Sequence, residues 1–167
     1  MSSNGRQGDN VSSFASVSAG GRYVAFYSNA SNLVRGDTNG ASDVFVRDRQ
    51  TGTTRRVSVR SNGHQANRDS SVLSISAGGR YVAFFSGASN LVGGDTNSRF
   101  DVFVHDRRTG TTRRVSVSSN GTQGNRVSGW PSISADGQYV AFQSNASNLV
   151  PGDTNNMYDL FVRGPLH

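Results

Sequence analysis

Several residue types are missing from this 167-residue chain, and each absence excludes a class of structure. There is no cysteine, which excludes disulfide bonds and thiolate metal sites. Lysine and glutamate, two strong helix formers, are also absent, and proline occurs only 3 times. No apolar run approaches the ~20 residues of a transmembrane helix, and residues 1–5 do not resemble a signal peptide. We therefore expect neither a helical fold nor a membrane partner.

The residues that are abundant favour strands and turns. The chain has 20 glycines and is rich in serine and asparagine, while valine, threonine, tyrosine and phenylalanine favour strands. This balance predicts an all-β protein with many turns. The net charge of +6 is carried by arginine alone, which would suit a nucleic-acid partner. We do not expect that partner, because the arginines recur at fixed repeat positions and no aromatic RNA-binding motif accompanies them.

One phrase occurs three times. The sequence Ser-Asn-Leu-Val-x-Gly-Asp-Thr-Asn is found at residues 31–39, 89–97 and 147–155. Its aspartates, Asp37, Asp95 and Asp153, follow one another at intervals of 58 residues, and the flanking sequence repeats with them. A fixed period of this size indicates a repeat architecture.

The middle repeat predicts a four-stranded antiparallel meander. Its expected strands are residues 72–76, 80–86, 101–105 and 111–117, separated by turns rich in glycine and by a long polar loop. The second and third strands are apolar at consecutive positions, so both faces of the sheet should be covered. Units that stack face to face cover both sides of every sheet, as the blades of a β-propeller do.

The repeat resembles a known family at two motifs. These are Ser-Ala-Asp-Gly-Gln-Tyr-Val-Ala-Phe at residues 134–142 and Asp-Leu-Phe-Val-Arg at residues 159–163. Both are similar to the WD40-like PD40 repeat of TolB-type bacterial propellers. The resemblance implies a β-propeller fold and a bacterial extracellular or periplasmic location. The 58-residue period is longer than the ~40–45 residues of an ordinary blade.

The repeat divides the chain into three predicted blades. Blade 1 is residues 1–60, blade 2 is residues 61–118 and blade 3 is residues 119–167, which has no counterpart of the fourth strand. Propellers have about four to eight blades, so three cannot close a ring. We expect either a fragment of a longer propeller or a ring completed by copies of the chain, with a six-bladed dimer favoured over a nine-bladed trimer. The near-identity of the repeats also suggests an engineered or recently amplified fragment.

The long loops should lie on one face of the propeller, together with the segments that lead into each blade. This face is rich in aspartate, asparagine and serine, and a protein or glycan ligand would bind there. The candidate ligand-binding residues are Asn32, Asp37, Asn39, Asn90, Asp95, Asn97, Asn148, Asp153 and Asn155.

The same loops partly resemble a calcium loop, in which oxygen ligands alternate along the chain. The candidate calcium ligands are Asp37, Asn39, Asp43, Asp95, Asn97, Asp101, Asp153, Asn155 and Asp159. The chain has no glutamate for the bidentate position of an EF-hand. The alternative is an Asx-type turn, closed by Asp43 accepting backbone N–H groups. Calcium is therefore a possible cofactor, and both interpretations stay open.

Other candidate sites are few. The three histidines fall at different repeat positions without a catalytic motif, so we expect no enzyme activity. Trp130 is expected just before the first strand of blade 3, in the core or at the ring entrance, where it could also stack on a sugar. The Leu-Val pairs at 33–34, 91–92 and 149–150 should fold back onto the blades as apolar plugs.

Three functions follow from this pattern. The first is a non-catalytic module that acts as a scaffold or binds a partner. The second is a lectin-like propeller that binds carbohydrate with the help of calcium. The third is an accessory domain of a hydrolase. The fold alone does not choose among them, because binding resides in loop geometry.

Overall fold

The computed structural model of the chain describes residues 1–166 and is built almost entirely from β-strands. Besides the strands it has one 3-10 turn, Ala19–Gly21. The strands are β1 (Ser12–Val17), β2 (Tyr23–Ser28), β3 (Asp43–Asp48), β4 (Thr53–Arg56), β5 (Ser70–Ile75), β6 (Tyr81–Ser86), β7 (Asp101–Asp106), β8 (Thr111–Arg114), β9 (Ser128–Ile133), β10 (Val140–Ser144) and β11 (Asp159–Arg163). None of the described residues forms a helix long and apolar enough to cross a membrane.

The strands form three antiparallel meanders. Their orders are β1-β2-β3-β4 in blade 1, β5-β6-β7-β8 in blade 2 and β9-β10-β11 in blade 3. The registers of blades 1 and 2 match: Phe45 pairs with Arg56 in one, and Phe103 pairs with Arg114 in the other. The predicted all-β fold of stacked blades is confirmed.

Two strand boundaries differ from the prediction. β5 begins at Ser70, two residues earlier than expected, and β8 ends at Arg114 rather than at residue 117. The shorter β8 has a local cause. The backbone N–H of Val102 donates to the Ser116 hydroxyl at 3.1 Å, and this hydroxyl donates to Asp101 at 2.6 Å. Side-chain bonding thus replaces strand pairing just beyond β8.

The core lies between the blades. Val46, Ile75 and Val82 belong to a cluster that joins blades 1 and 2, and the equivalent Val104 and Ile133 join blades 2 and 3. Both faces of blade 2 are therefore covered, as the apolar strands predicted. The loop plugs are confirmed for the leucines, which are buried in all three blades: Leu33, Leu91 and Leu149.

A second contact joins the blades at the opposite edge from the long loops. The Tyr23 ring of blade 1 packs against the tight turn of blade 2 at Gly79, which has a φ of 70°. Arg107 of blade 2 places its guanidinium 4.2 Å from the centre of the Tyr23 ring and donates to the carbonyl of Gly79. Tyr81 and Gly137 repeat the ring-on-glycine contact between blades 2 and 3. The turn glycine is needed because a Cβ would overlap the tyrosine ring.

We predict that Gly79→Ala destabilises the chain more than Gly63→Ala does. Both glycines have positive φ, so both variants carry the backbone cost of about 1–2 kcal/mol. Only at Gly79 would the new methyl group overlap Tyr23, since the space around Gly63 is open. This overlap should add about 1–3 kcal/mol. Urea unfolding of the two variants measures the difference, and equal values would contradict the inter-blade contact.

Candidate functional site

The predicted ligand-binding asparagines of the repeated phrase are engaged within the protein. In blade 2 the Asn90 side chain accepts from the backbone N–H of Asn67 at 3.0 Å and donates to the carbonyl of Gln65 at 2.9 Å. Asn32 and Asn148 make the same two bonds in blades 1 and 3. These amides fasten the segment leading into each blade to the long loop of the same blade.

The acidic residues of blade 1 surround an arginine. Arg56 lies 3.0 Å from Asp37 and 2.9 Å from Asp43, and Asp43 is fully buried. The remaining carboxylate oxygen of Asp43 accepts from the Ser58 hydroxyl at 2.5 Å. Burial raises the pKa of Asp37 above its ordinary value, and the neighbouring Asp43 raises it further. Arg56, supplied by β4, is the cation that balances both acids.

Blade 2 repeats this arrangement with an additional partner. Arg114 lies 3.4 Å from Asp95 and 3.5 Å from Asp101. Gln123 donates to both carboxylates, at 2.9 Å and 3.0 Å. Burial raises the pKa of Asp101, although the hydrogen bonds from Ser116 and Gln123 and the nearby Arg114 act in the opposite direction.

The third asparagine of each loop forms an Asx-type turn. The Asn39 side-chain oxygen accepts from the backbone N–H of Ala41 at 3.1 Å, and Asn97 and Asn155 do the same two residues along the chain. The turn interpretation is correct at these asparagines. It was wrong about how Asp43 closes the loop, because its recorded partners are the side chains of Asn39, Arg56 and Ser58.

Blade 3 has the acids without the arginine. Asp159 accepts from the Asn155 amide at 3.1 Å. Among residues 1–166, neither Asp153 nor Asp159 takes part in an ion pair. The reason is topological: Arg56 and Arg114 lie on β4 and β8, and no described strand occupies that place beside β11. We call Asp153 and Asp159 the acid pair.

The calcium interpretation stays a prediction for all three loops. Within residues 1–166 no three histidine or acidic side chains form a group that could hold a metal ion. In blades 1 and 2 an arginine lies where a cation would bridge the two acids. A metal ion there would have to displace the guanidinium, while the acid pair of blade 3 has no such competitor.

An exposed aromatic cluster was not predicted from the sequence. It consists of Phe85, Phe100, Trp130 and Tyr158, in which the rings of Phe85 and Phe100 stack at 4.5 Å. Trp130 lies 6.0 Å from Phe85 and 6.2 Å from Tyr158, measured between ring centres. Its expected place before the strand was wrong, because Trp130 lies inside β9 and is 54% exposed.

A bulge accounts for the direction of Trp130. The pairing of β9 with β10 shifts register here, and Trp130 has a φ of 49°. A bulge of this kind redirects one side chain away from the regular alternation. Gly129 makes room for the cluster, because a Cβ there would lie 2.7 Å from the Phe85 ring. The signal in the sequence was a departure from the repeat: blade 2 has Ser71 where blade 3 has Gly129.

The histidines do not form a site. His105 is buried and its Nδ1 lies 2.9 Å from the Thr112 hydroxyl, whereas His64 is exposed. Burial lowers the pKa of His105 to about 4. His167 lies outside the described residues, so the prediction for it is left as it was.

Comparison with known proteins identifies the architecture. No protein-family model matches the chain, and no curated protein matches it. Among solved structures, a TolB protein from Agrobacterium tumefaciens superposes with a TM-score of 0.56 at 16% identity. The match covers 90% of this chain and 44% of that one. The fold is that of a TolB-like β-propeller.

Other propeller proteins match more weakly or over a smaller share of their length. A prolyl endopeptidase gives a TM-score of 0.55 at 14% identity, covering 100% of this chain and 22% of that one. The tricorn protease gives 0.50 at 16% identity, covering 90% and 12%. The chain thus spans less than half the length of these structures. At such identities the likeness shows the fold and no shared activity.

We predict that Arg114→Gln destabilises the propeller by about 3 kcal/mol, because it leaves two buried carboxylates without their cation. Arg113 is its neighbour on β8 but is exposed, so Arg113→Gln should change the free energy of unfolding by less than about 0.5 kcal/mol. Urea unfolding at pH 7 compares the variants. A loss of the same size in both would show that Arg114 acts only through its general charge.

The buried His105 should make stability depend on pH. Its pKa is about 4 in the folded propeller against 6.5 for an ordinary histidine, so the unfolded chain binds the proton first. Stability is therefore complete above about pH 6.5 and falls toward pH 4, by up to about 3 kcal/mol. The acids close to His105 titrate lower, since the pKa of Asp106 is held down by Arg80.

His105→Gln should remove this part of the pH dependence, while His64→Gln, at an exposed position, should keep it. The measurement is the free energy of unfolding of each variant between pH 7 and pH 4.5. Parallel curves for wild type and His105→Gln would contradict a neutral, buried His105.

Proposed function

We propose that the chain is a non-catalytic propeller module whose role is assembly with copies of itself into a closed ring. The observation that carries this proposal is a pair of apolar faces, one on each terminal blade. Inside the chain, the equivalent faces are buried against the neighbouring blade. The ring would then serve as a scaffold.

The first face lies on blade 3. Leu160 and Val162 of β11 are 77% and 70% exposed. Their equivalents in blade 2 are Val102 and Val104, which are 0% and 3% exposed because blade 3 covers them. Blade 3 therefore presents the same apolar surface that blade 2 buries.

The second face lies on blade 1. Val17 of β1 is 55% exposed, while its equivalents Ile75 and Ile133 are 7% and 8% exposed and pack against the preceding blade. Head-to-tail contact would place Val17 of one copy against Leu160 and Val162 of the next. This contact would repeat the packing already present between blades 1 and 2.

The number of copies follows from the geometry of propellers. Two chains give six blades, within the range of about four to eight, and three chains give nine. A heterologous contact closes when its rotation divides the circle. We therefore favour the dimer over the trimer.

The internal bonding of the loop face favours a scaffold over a ligand-binding role for the predicted residues. Asn32, Asn90 and Asn148 use both amide atoms within the protein. The lectin-like and hydrolase-accessory alternatives, the engineered or amplified origin, and the bacterial extracellular or periplasmic location stay predictions.

We expect light scattering after size-exclusion chromatography to give twice the 17.8 kDa mass of one chain. The double variant Leu160→Asp/Val162→Asp should run as one chain, because the carboxylates would be buried without partners. The control Thr109→Asp, in the exposed turn between β7 and β8, should keep the wild-type mass. A wild-type mass of one chain at every concentration would rule out self-assembly, and three times the mass would favour the nine-bladed ring.

A further inference from the structure

The outer edge of β11 differs from the corresponding edges in the other blades. β3 pairs with β4 and β7 pairs with β8, each over four residue pairs. β11 pairs with β10 on one side, and no strand of residues 1–166 pairs with its other side. An open edge leaves backbone N–H and C=O groups available to an added strand.

The acid pair gives this edge a chemical preference. In blades 1 and 2 the fourth strand places an arginine between two acids, and two residues later a serine donates to the second acid. These contacts are Arg56 and Ser58 in blade 1, and Arg114 and Ser116 in blade 2. Asp153 and Asp159 occupy the equivalent positions in blade 3 without either partner among the described residues. Two carboxylates with no cation attract one.

A groove runs beside the acid pair. It has a volume of about 450 Å³ and is lined by the loop Val150–Asn155 and by Asp159, Leu160 and Phe161. The equivalent phenylalanines, Phe45 and Phe103, are fully buried, whereas Phe161 is only half-buried. The groove is therefore the counterpart of the space next to β4 and β8, with an apolar floor and an acidic wall.

We propose that the outer edge of β11 binds an extended segment of a separate polypeptide. This segment carries an arginine followed two residues later by a serine, in the pattern Arg-x-Ser found after β4 and β8. The arginine pairs with Asp153 and Asp159, the serine hydroxyl donates to Asp159, and an apolar residue between them covers Phe161. The surface is the edge of the blade and not its apolar face, so this proposal does not rest on ring formation.

The test uses a fluorescein-labelled peptide with the sequence of residues Thr109–Val117, titrated with the full chain and followed by fluorescence anisotropy. Two variant peptides provide a matched pair. Glutamine in place of the arginine at the Arg113 position should leave binding unchanged, since that side chain points to solvent in β8. Glutamine at the Arg114 position should weaken binding by about 10-fold or more, because hydrogen bonds to charged groups are lost.

A protein variant tests the other partner. Asp159→Asn should remove the preference for the peptide with the arginine at the Arg114 position. Asp9→Asn is the control, because blades 2 and 3 have Asn67 and Asn125 at this position and the change should leave the fold and the binding intact. The Asp159→Asn arm also excludes exchange of the peptide with β8, since such exchange would not depend on blade 3. Thermal melts confirm that both variants are folded.

Three results would overturn the proposal. The first is absence of binding, and the second is equal binding of the two variant peptides, which would indicate general charge attraction. The third is calcium binding: a rise in melting temperature with calcium alone that Asp159→Asn removes, together with displacement of the peptide, would make the groove a metal site. The solution mass of Asp159→Asn separates this test from ring assembly, because that mass should equal the wild-type value.

Discussion

The middle strands of each blade are apolar on both faces, and the rest of the structure depends on covering those faces. A single blade cannot bury both sides of its own sheet, so it needs a neighbour on each side. Blade 2 has two neighbours, and its strands β6 and β7 are almost completely buried. Blades 1 and 3 have one neighbour each within the chain. The two apolar faces and the open edge of β11 follow directly from this constraint.

Polar chemistry in the loops serves the same packing. The buried Asp43 and Asp101 would be costly alone, and Arg56 and Arg114 balance them while their stems lie along the blades. The acids are thus part of how the long loop is fastened to the fourth strand. This explains why a motif that resembles a calcium loop can be structural. It also explains why blade 3, without that strand, is the place where the acids face a groove.

Repetition and departures from it carry different information. The repeated positions hold the core, the loop plugs and the acid–arginine contacts, which every blade needs. The departures gather where blades 2 and 3 meet, at Phe100, Gly129 and Trp130. A symmetric scaffold has no need of these changes, and they produce the one exposed aromatic cluster found among the described residues.

The period, the apolar strands and the turn glycines were enough to predict meanders that stack as blades, because these signals are local and are repeated three times. Sequence also located Asp43, Asp101 and Asp159 and the leucine plugs. It did not show that Arg56 lies between Asp37 and Asp43, since partners 13 and 19 residues apart meet only when β4 pairs with β3. The bulge that exposes Trp130 was likewise invisible, because strand register is a property of the sheet. Local patterns therefore determined the blades, while tertiary pairing decided which charges meet, which remain without a partner, and which faces stay open.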